Sequence, residues 1–213
     1  MLNNIKMHKT RNETPKTWPI ARKGTKYIVV ASHNKRAGIP LLILLRDILK
    51  IAKKRKEVER ILRDGKIKVN GKIVRDEKYA LLLLDILNIG EKNYKLILEN
   101  RKFKFEDTKE KEKIAKIIGK KILHKGKVQI NLNDGRNLIV KEKMNIGDSL
   151  AINFEGKITR KIELKENSKI IVISGSHIGE EGKVEKINRE KKTAEININK
   201  KKVNLDLKRI MAI

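Results

Sequence analysis

The densest group of side chains that could do chemistry lies between residues 53 and 72, and it is basic. Arginine presents a planar fork that can grip two phosphate oxygens or stack on a base, whereas lysine acts as a point charge. The amide groups at a helix N-terminus add a partial positive charge that favours phosphate. These residue types indicate binding of a nucleic-acid backbone. The candidate contacts are Lys53, Lys54, Arg55, Lys56, Arg60, Arg63, Lys66, Lys68 and Lys72.

Two short helices would position the first of these cations. After Pro40, apolar residues recur every three or four positions over residues 41–52, which predicts a first helix. A second helix is predicted over residues 56–63, with Gly65 as its stop. The basic side chains then lie at the start and along the exposed face of this second helix.

A β-hairpin would position the remaining cations. The Asn70-Gly71 pair between alternating apolar residues predicts this hairpin over residues 66–74. A further strand is expected over residues 79–89. Alternation predicts that the three lysines of the hairpin face solvent together and that its apolar residues face the helices. Those apolar residues are Ile67, Val69 and Ile73.

A run of lysines usually marks only a solvated face, so these cations alone do not define a site. The order of elements favours a binding surface: a helix, a basic second helix, a glycine and a Val-Asn-Gly hairpin. Residues 55–71 in that order resemble the small RNA-binding module of many ribosomal proteins, pseudouridine synthases and tyrosyl-tRNA synthetases. The resemblance implies RNA as the ligand and leaves open which RNA.

A second motif is the glycine-rich stretch of residues 175–184. A Walker phosphate loop needs Gly-x4-Gly-Lys-Ser/Thr, but His177 stands in the place of its first glycine and Val184 follows the lysine. We expect a tight connection between strands, where glycines permit bends. Strands over residues 170–173, 184–187, 193–198 and 203–207 complete a five-strand pattern of the size of a minimal β-barrel.

The same stretch resembles the KOW motif of ribosomal proteins and transcription elongation factors. The resemblance implies an SH3-like barrel over residues 166–213. It also implies a loop that lies against RNA. The candidate contacts there are Ser176, His177 and Lys183.

The composition favours a polyanionic partner. The chain of 213 residues holds 53 lysines and arginines against 26 acidic residues, a net charge of +27. Such a charge repels itself unless a polyanion neutralises it, so nucleic acid is the first candidate partner and an anionic membrane surface the second. No apolar run approaches the roughly 20 residues of a membrane span, and residues 1–10 lack the apolar stretch of a signal peptide. We expect a soluble, cytoplasmic protein with no membrane partner.

Residues 1–38 are predicted to be a basic arm. They hold nine lysines and arginines but one acid, Glu13, and show little periodicity outside residues 27–30. We therefore expect a segment that RNA orders. The lone tryptophan is expected to dock on the protein or on a base. The candidate contacts of the arm are Arg11, Trp18, Arg22, Lys23, Lys26 and His33.

Residues 91–165 predict a central β domain. A charged stretch over residues 106–113 resembles a mobile segment, and a short helix is predicted over residues 109–118. Asp134-Gly135 predicts a second hairpin, over residues 128–140. We expect a small barrel or a curled sheet, with Arg136 as its candidate RNA contact.

Side chains suited to catalysis or metal binding are dispersed. The chain has no cysteine, which excludes disulfide scaffolds, thiol catalysis and cysteine-ligated zinc. Its four histidines lie in separate segments without metal-ligand spacing. Asp134 and Arg136 resemble the Asp and Arg of a pseudouridine synthase, yet a hairpin turn explains Asp134 better and no large catalytic domain fits the length. We expect no catalysis, metal, cofactor or small-molecule substrate.

Four separated motifs extend the resemblance to nearly the whole chain. They are Trp18-Pro19-Ile20 with Arg22-Lys23-Gly24, Ile39-Pro40-Leu41-Leu42 with Leu45-Arg46-Asp47, residues 129–137, and residues 174–179. In this order they resemble the archaeal and eukaryotic type of small-subunit ribosomal protein four. Two departures exist: residues 31–38 lack the family's Gly-Pro-His pattern, and Ala80 stands in the place of a proline.

The predicted fold is α+β and multi-domain. Its parts are a basic arm (1–38), a helix–helix–hairpin RNA-binding domain (39–90), a central β domain (91–165) and a C-terminal SH3-like KOW barrel (166–213). The resemblance implies a structural constituent of the small ribosomal subunit in the cytoplasm. It implies as partners neighbouring small-subunit proteins and small-subunit rRNA, in particular the body formed by its 5′ part.

Two alternatives of another class stay open. An RNA-modification factor could carry the module as an appendage, but its catalytic domain finds no room. A KOW-type transcription factor would leave the module and the arm without a role.

Overall fold

The computed structural model describes residues 8–35, 37–142 and 144–213, so residues 1–7 and Arg36 of the predicted arm lie outside the described residues. The chain divides into two compact units, residues 1–109 and 110–213. The described part of the first unit has two short α-helices: α1 (Leu41–Ile43), which continues as a π-helical turn over Leu44–Ile48, and α2 (Arg55–Arg63). It also has a 3-10 turn at Arg11–Glu13. Its strands are β1 (His8–Thr10), β2 (Tyr27–Val29), β3 (Ile39–Pro40), β4 (Ile67–Val69), β5 (Lys72–Ile73), β6 (Ala80–Leu81), β7 (Ile86–Ile89), β8 (Lys92–Glu99) and β9 (Lys102–Asp107).

The main sheet of the first unit is antiparallel, with strand order β5-β4-β7-β8-β9. Its register turns the buried apolar residues Ile67, Val69, Leu87, Leu96, Leu98 and Phe103 to one face. Because β8 and β9 complete this sheet, the first compact unit extends well past the predicted boundary at residue 90.

The predicted hairpin is confirmed, but the predicted orientation of its side chains is not. Asn70 and Gly71 adopt φ of 50° and 80°, as a type I′ turn requires. In the register Val69 pairs with Lys72 and Lys68 pairs with Ile73. Paired residues share a face, so Ile73 lies outward, half exposed, and Lys72 shares the face of Val69. The prediction of one face for all three lysines was wrong, because a two-residue turn puts its two flanking residues on the same side.

The first helix and the strand after the hairpin are both shorter than predicted. The helical stretch ends at Ile48, and Lys50 then takes a left-handed φ of 53°. The predicted strand over residues 79–89 is two strands, β6 and β7, separated at Leu84, whose φ is 65°. The spacing of apolar residues does not reveal single residues with left-handed φ. Here one such residue follows the first helical stretch and another separates β6 from β7.

The described part of the arm packs against the first unit. β1 and β2 form an antiparallel pair, and Trp18 is only 4% exposed. The amide of Phe103 donates to the carbonyl of Thr17 at 2.8 Å, and the amide of Ser32 donates to that of Lys78 at 2.8 Å. This differs from the expectation of an arm without packing of its own, because Trp18 gives residues 8–35 an apolar anchor.

The second unit contains two antiparallel five-stranded sheets, with orders β12-β11-β10-β13-β14 and β18-β17-β16-β15-β19. Their strands are β10 (Glu112–Ile122), β11 (Val128–Leu132), β12 (Asn137–Val140), β13 (Ser149–Asn153), β14 (Ile158–Ile162), β15 (Lys169–Val172), β16 (Glu181–Asn188), β17 (Thr193–Ile198), β18 (Lys201–Asp206) and β19 (Ile210–Ala212). Separate apolar clusters support the two sheets. Ile117, Ile130 and Leu150 are central to the first, and Ile170, Val184 and Ile196 to the second.

The helix predicted over residues 109–118 was wrong, since this stretch lies in the long strand β10. Residues 112–116 pair with β13, and residues 117–122 pair with β11, with a β-bulge between Ile117 and Gly119. Pairing on both edges overrides the helical preference of a Lys- and Glu-rich stretch. The predicted hairpin over residues 128–140 is confirmed as β11 and β12.

The four strands predicted in the C-terminal segment are confirmed as β15, β16, β17 and β18, and β19 adds the fifth. Two glycines of the C-terminal segment lie at bends: Gly175 and Gly179 adopt φ of 98° and 87°. Gly182 has another reason, because a Cβ there would lie 2.6 Å from the carbonyl oxygen of Asn197. Within the described residues β18 and β19 are the edges of an open ladder.

A buried lysine joins the two sheets of the second unit. Lys116 of β10 is 3% exposed, and its Nζ donates to the carbonyls of Leu207 and Ile210 at 2.5 and 2.6 Å. Burial lowers the pKa of Lys116 from 10.5 to about 8, because desolvation penalises the charged amine. This cation is a structural tie.

Candidate nucleic-acid interface

Helix α2 presents a row of unpaired cations. Val58 and Leu62, four residues apart, are fully buried, so the opposite face must lie in solvent. Lys56, Arg60 and Arg63 are exposed on the helix. None of them forms an ion pair with any residue that the structure describes. These three side chains are free to meet phosphate.

The N-terminus of α2 is already capped by a carboxylate. Glu57 Oε2 accepts hydrogen bonds from the amides of Lys53 and Lys54, at 2.8 and 3.3 Å. These bonds hold the pKa of Glu57 below its ordinary value. The carboxylate of Glu57 therefore occupies the two amides that precede the first residue of α2. The exposed side chains of Lys53 and Lys54 are still available.

Arg55 is exposed, but carboxylates of the protein hold it rather than leaving it free. Its Nε donates to Glu77 Oε2 at 2.9 Å and its Nη2 lies 2.5 Å from Glu77 Oε1. Glu59, one turn along α2, adds a third contact at 3.1 Å. The hydrogen bond and charge of Glu77 raise the pKa of Arg55. Because Glu77 is largely buried, the fork of Arg55 attaches the start of α2 to the segment before β6.

In the arm, Arg11 organises a basic loop that we call the arm loop, residues 21–26. Its guanidinium donates to the carbonyls of Ala21 and Thr25 at 2.7 and 2.9 Å and to the Thr25 hydroxyl at 3.0 Å. Gly24, with φ of 137°, passes so close that a Cβ would lie 3.0 Å from Arg11 Nη2. The fork of Arg11 thus holds the loop, whose three exposed cations are Arg22, Lys23 and Lys26.

Two other arm candidates are packed against the protein. Trp18 is buried, so it cannot stack on a base without leaving its site. His33 is half-buried, with its ring edge-on to Tyr79 at 4.6 Å between centroids. Its Nδ1 lies 3.2 Å from the hydroxyl of Ser32. Trp18 and His33 therefore help to hold the arm in place rather than offering their rings to RNA.

The outward face of the main sheet combines lysine with amide groups. The register aligns Lys68, Asn88 and Asn93 in one row across three strands. Asn88 Nδ2 donates to Asn93 Oδ1 at 2.5 Å. Lys66 lies at the end of this face, 3.7 Å from Asp64. Sequence reasoning missed Asn88 and Asn93, because a cross-strand row is visible only once the register is known.

The hairpin that carries Lys68 is held rigidly. Asn70 Nδ2 donates to Asp85 Oδ1 at 2.8 Å, and Asn70 Oδ1 accepts from the amide of Ile86 at 3.0 Å. The other oxygen of Asp85 accepts from the amide of Leu82 at 2.7 Å. Asn70 is therefore both the turn former that the sequence predicts and the tie between the hairpin and β7.

In the second unit, Arg136 belongs to a charged cluster with Asp134 and Lys113. Asp134 Oδ2 lies 2.7 Å from Arg136 Nε and 3.1 Å from Lys113 Nζ, and Lys113 is buried. Burial would raise the pKa of Asp134, but the charge of Lys113 and the bonds from Arg136 outweigh it and hold that pKa below its ordinary value. Arg136 supports the hairpin turn here, so its guanidinium is not free for RNA.

The three candidate RNA contacts of the glycine-rich stretch differ in their accessibility. Ser176 is exposed, whereas His177 is half-buried with its Nδ1 3.0 Å from Glu180 Oε2. Lys183 is exposed on the outward face of β16. Ser176 and Lys183 are therefore accessible, while His177 contributes to the shape of the loop.

These arrangements favour surface recognition over chemistry. In the described ranges, no three His, Asp or Glu residues lie together as they would around a metal ion. In that same part of the chain, no helix combines the length and the apolar character needed to cross a membrane. What the site offers is a set of cations on elements that arginines, asparagines and capping carboxylates hold in place.

Comparison with known families agrees with this description. A sequence model described as "Ribosomal family S4e" matches residues 90–159, and one described as "S4 domain" matches residues 40–86. The S4 match covers α1, the hairpin, and helix α2 with its exposed Lys56, Arg60 and Arg63. The fold and the site therefore define a ribosomal protein with an RNA-binding module.

Individual relatives cover most of the chain. It is 35% identical to small ribosomal subunit protein eS4 of Methanocella arvoryzae over 188 residues, which are 84% of this chain and 80% of the relative. It is 34% identical to that of Nanoarchaeum equitans, over 86% and 83% of the two chains. The crystal structure of 30S ribosomal protein S4e from Thermoplasma acidophilum superimposes with a TM-score of 0.71 at 26% identity, over 83% of this chain and 94% of that one. The chain belongs to the S4e family of ribosomal proteins.

Proposed function

We propose that this protein is a structural constituent of the small ribosomal subunit that binds small-subunit rRNA and supports its assembly. The observation that carries the proposal is the row of unpaired cations, Lys56, Arg60 and Arg63, on the S4 module. The printed names of the relatives, small ribosomal subunit proteins, support the subunit. The net charge of +27 requires a polyanion.

The parts of the chain take different roles in this proposal. Residues 39–90 act as the RNA-binding module, residues 91–165 as the family-specific central domain, and residues 166–213 as an SH3-like barrel of the KOW type. The arm, residues 1–38, reaches into folded RNA through the arm loop. The rRNA contacted is the body formed by the 5′ part, the further partners are neighbouring small-subunit proteins, and the site of action is the ribosome in the cytoplasm. The role is structural, with no catalytic step.

Binding is expected to be electrostatic and shape-dependent, as for other proteins that contact folded RNA through its backbone. Each neutralised phosphate releases counterions, so log affinity should fall linearly with log salt. With roughly 6–10 phosphate contacts, affinity should fall on the order of 10³–10⁵ between 50 and 200 mM salt.

The test is a binding series of the purified chain with small-subunit rRNA across that salt range. A parallel measurement asks whether the chain co-sediments with small subunits from cell extract. Affinity that stays flat with salt contradicts the electrostatic mechanism. Co-sedimentation with RNA polymerase instead of small subunits would favour a transcription factor.

A further inference from the structure

The outward face of the C-terminal sheet carries a row of cations, of which the sequence motifs single out only Lys183. The register places Lys169 opposite Lys183, Lys183 opposite Asn197, and Asn197 opposite Lys202. Paired residues lie on the same face of a sheet, with Cβ atoms about 5 Å apart. All four residues are exposed. The row therefore crosses four strands with three positive charges on one surface.

Lys169 and Lys183 are like charges directly opposite each other, an arrangement that destabilises a sheet. In the part of the chain that the structure describes, neither lysine forms an ion pair. Glu181, two residues from Lys183 along the same face, forms no ion pair with either lysine.

The other lysines of this face are matched by acids. Lys202 lies 2.6 Å from Glu185, and the second oxygen of Glu185 accepts from Asn197 Nδ2 at 3.3 Å. Lys186 stands opposite Glu195 in the next row. The Lys169–Lys183 pair thus differs from its neighbours on the same sheet in that, among the described strand pairs, no acid stands directly opposite either lysine.

A polyanion would supply the missing charge. Two ammonium groups on adjacent strands can converge on one phosphate or contact two successive phosphates, and lysine recognises phosphate as a point charge. The two lysines line one shallow groove together with Asn167 and Asn197, and Glu181 and Glu185 line it as well. Amide side chains are common donors to phosphate and sugar oxygens.

We infer that the Lys169–Lys183 pair, flanked by Asn167 and Asn197, is a binding site for the phosphate backbone of RNA. The inference rests on the proposed function and adds to it a second contact surface, on a sheet face rather than in the glycine-rich loop. The occupant is RNA rather than an acidic protein segment, because the chain's charge and its S4 module both favour RNA.

The experiment compares three full-length chains on small-subunit rRNA over 50–200 mM salt. The test variant is Lys169→Gln/Lys183→Gln. The control is Lys186→Gln/Lys202→Gln, which removes the same charge from the same sheet face at positions matched by Glu195 and Glu185. We expect the test variant to bind about tenfold more weakly, with a slope of log affinity against log salt reduced by about 1–2. The control should stay within about twofold of the wild type, with its slope retained.

A stability measurement on the free proteins separates binding from folding. Removing the like-charge pair should leave the melting temperature unchanged or raise it. Lys183→Glu, which would place opposite charges across the two strands, should raise it further and weaken RNA binding more than the double glutamine change does.

The outcomes are distinct. Wild-type affinity and slope in the test variant, or an equal loss in the control, overturn the inference while leaving the proposed function intact. Retained RNA affinity with lost co-sedimentation with small subunits would assign the pair to a protein partner instead. A wild-type chain that fails to bind the rRNA overturns the proposed function itself.

Discussion

The two compact units of this chain use charged side chains in different ways. In the first unit, Arg11 and Arg55 hold surface elements, while the neighbouring Arg22 and Arg60 form no ion pair with any described residue. In the second, Lys113, Lys116 and Asp134 are largely withdrawn from water and hold strands together.

Burial decides what each group responds to. A buried charge carries a desolvation cost and needs fixed partners, so it is sensitive to protonation. An exposed charge interacts weakly within the protein and is screened by salt, so it responds to ionic strength and to a polyanion. The exposed cations of the first unit, like the Lys169–Lys183 pair of the second, should therefore make binding sensitive to salt, whereas the buried charges of the second unit should make its stability sensitive to pH.

The largest expected effect is at the Asp134 cluster. Asp134→Asn leaves Lys113 and Arg136 facing an uncharged amide, and breaking a buried pair in this way costs about 3–5 kcal/mol. The measurement is chemical unfolding of the full chain at pH 7. Because the folded-state pKa of Asp134 is lowered, its contribution is complete above the unfolded pKa and is lost as pH falls through the folded one. The wild type should therefore lose more stability on acidification than the variant, and parallel acid profiles would contradict the cluster.

The next effect concerns Lys116. Its pKa is about 8 in the folded chain against 10.5 for a free lysine, so between those values the unfolded chain binds more protons. Wild-type stability should thus rise with pH across that window relative to Lys116→Met, by on the order of 3 kcal/mol. The check is the difference between the two pH profiles. Lys121→Met, an exposed position on the same strand, is the control and should follow the wild type.

A smaller loss of stability is expected at Arg55. Arg55→Ala leaves the largely buried Glu77 without its bidentate partner, which should cost about 1–3 kcal/mol. Arg63→Ala, also on α2 but unpaired within the described residues, should stay within about 0.5 kcal/mol. Thermal unfolding of both variants measures the difference. Equal melting temperatures would show that Arg55 does not hold the helix.

The smallest effect on stability, with a clear effect on binding, is expected from Lys56→Gln/Arg60→Gln. Both side chains are exposed, so stability should change by at most about 0.5 kcal/mol, while rRNA affinity falls about tenfold. Leu62→Ala is the opposite case: it opens a cavity worth about 2–5 kcal/mol and should leave the affinity of the folded fraction unchanged. Wild-type affinity in the double variant would remove α2 from the interface.

Local chemistry made several elements predictable. Asn70-Gly71 and Asp134-Gly135 specify tight turns by their own backbone preferences, and both hairpins are present. The buried spacing of Val58 and Leu62 identified α2. The helix expected over residues 109–118 failed because strand pairing with β13, more than 30 residues away, outweighs local preference.

The site was predictable in residue type but not in availability. Arg11, Arg55 and Arg136 are in the basic stretches where RNA contacts were expected, yet all three are held by groups of the protein. For Arg55 the partner, Glu77, is 22 residues away, which no local pattern reveals. The Lys169–Lys183 pair was invisible for the same reason, since only strand register brings the two residues together.

The tie made by Lys116 also bears on the order in which the chain can fold. Its acceptors, the carbonyls of Leu207 and Ile210, follow it by 91 and 94 residues. During synthesis the residues of β10 are therefore made long before the carbonyls that accept hydrogen bonds from Lys116. Long-range contacts of this kind slow folding, so the second unit should gain its native structure late. Only when β19 has formed does Lys116 of β10 have the carbonyl of Ile210 as an acceptor.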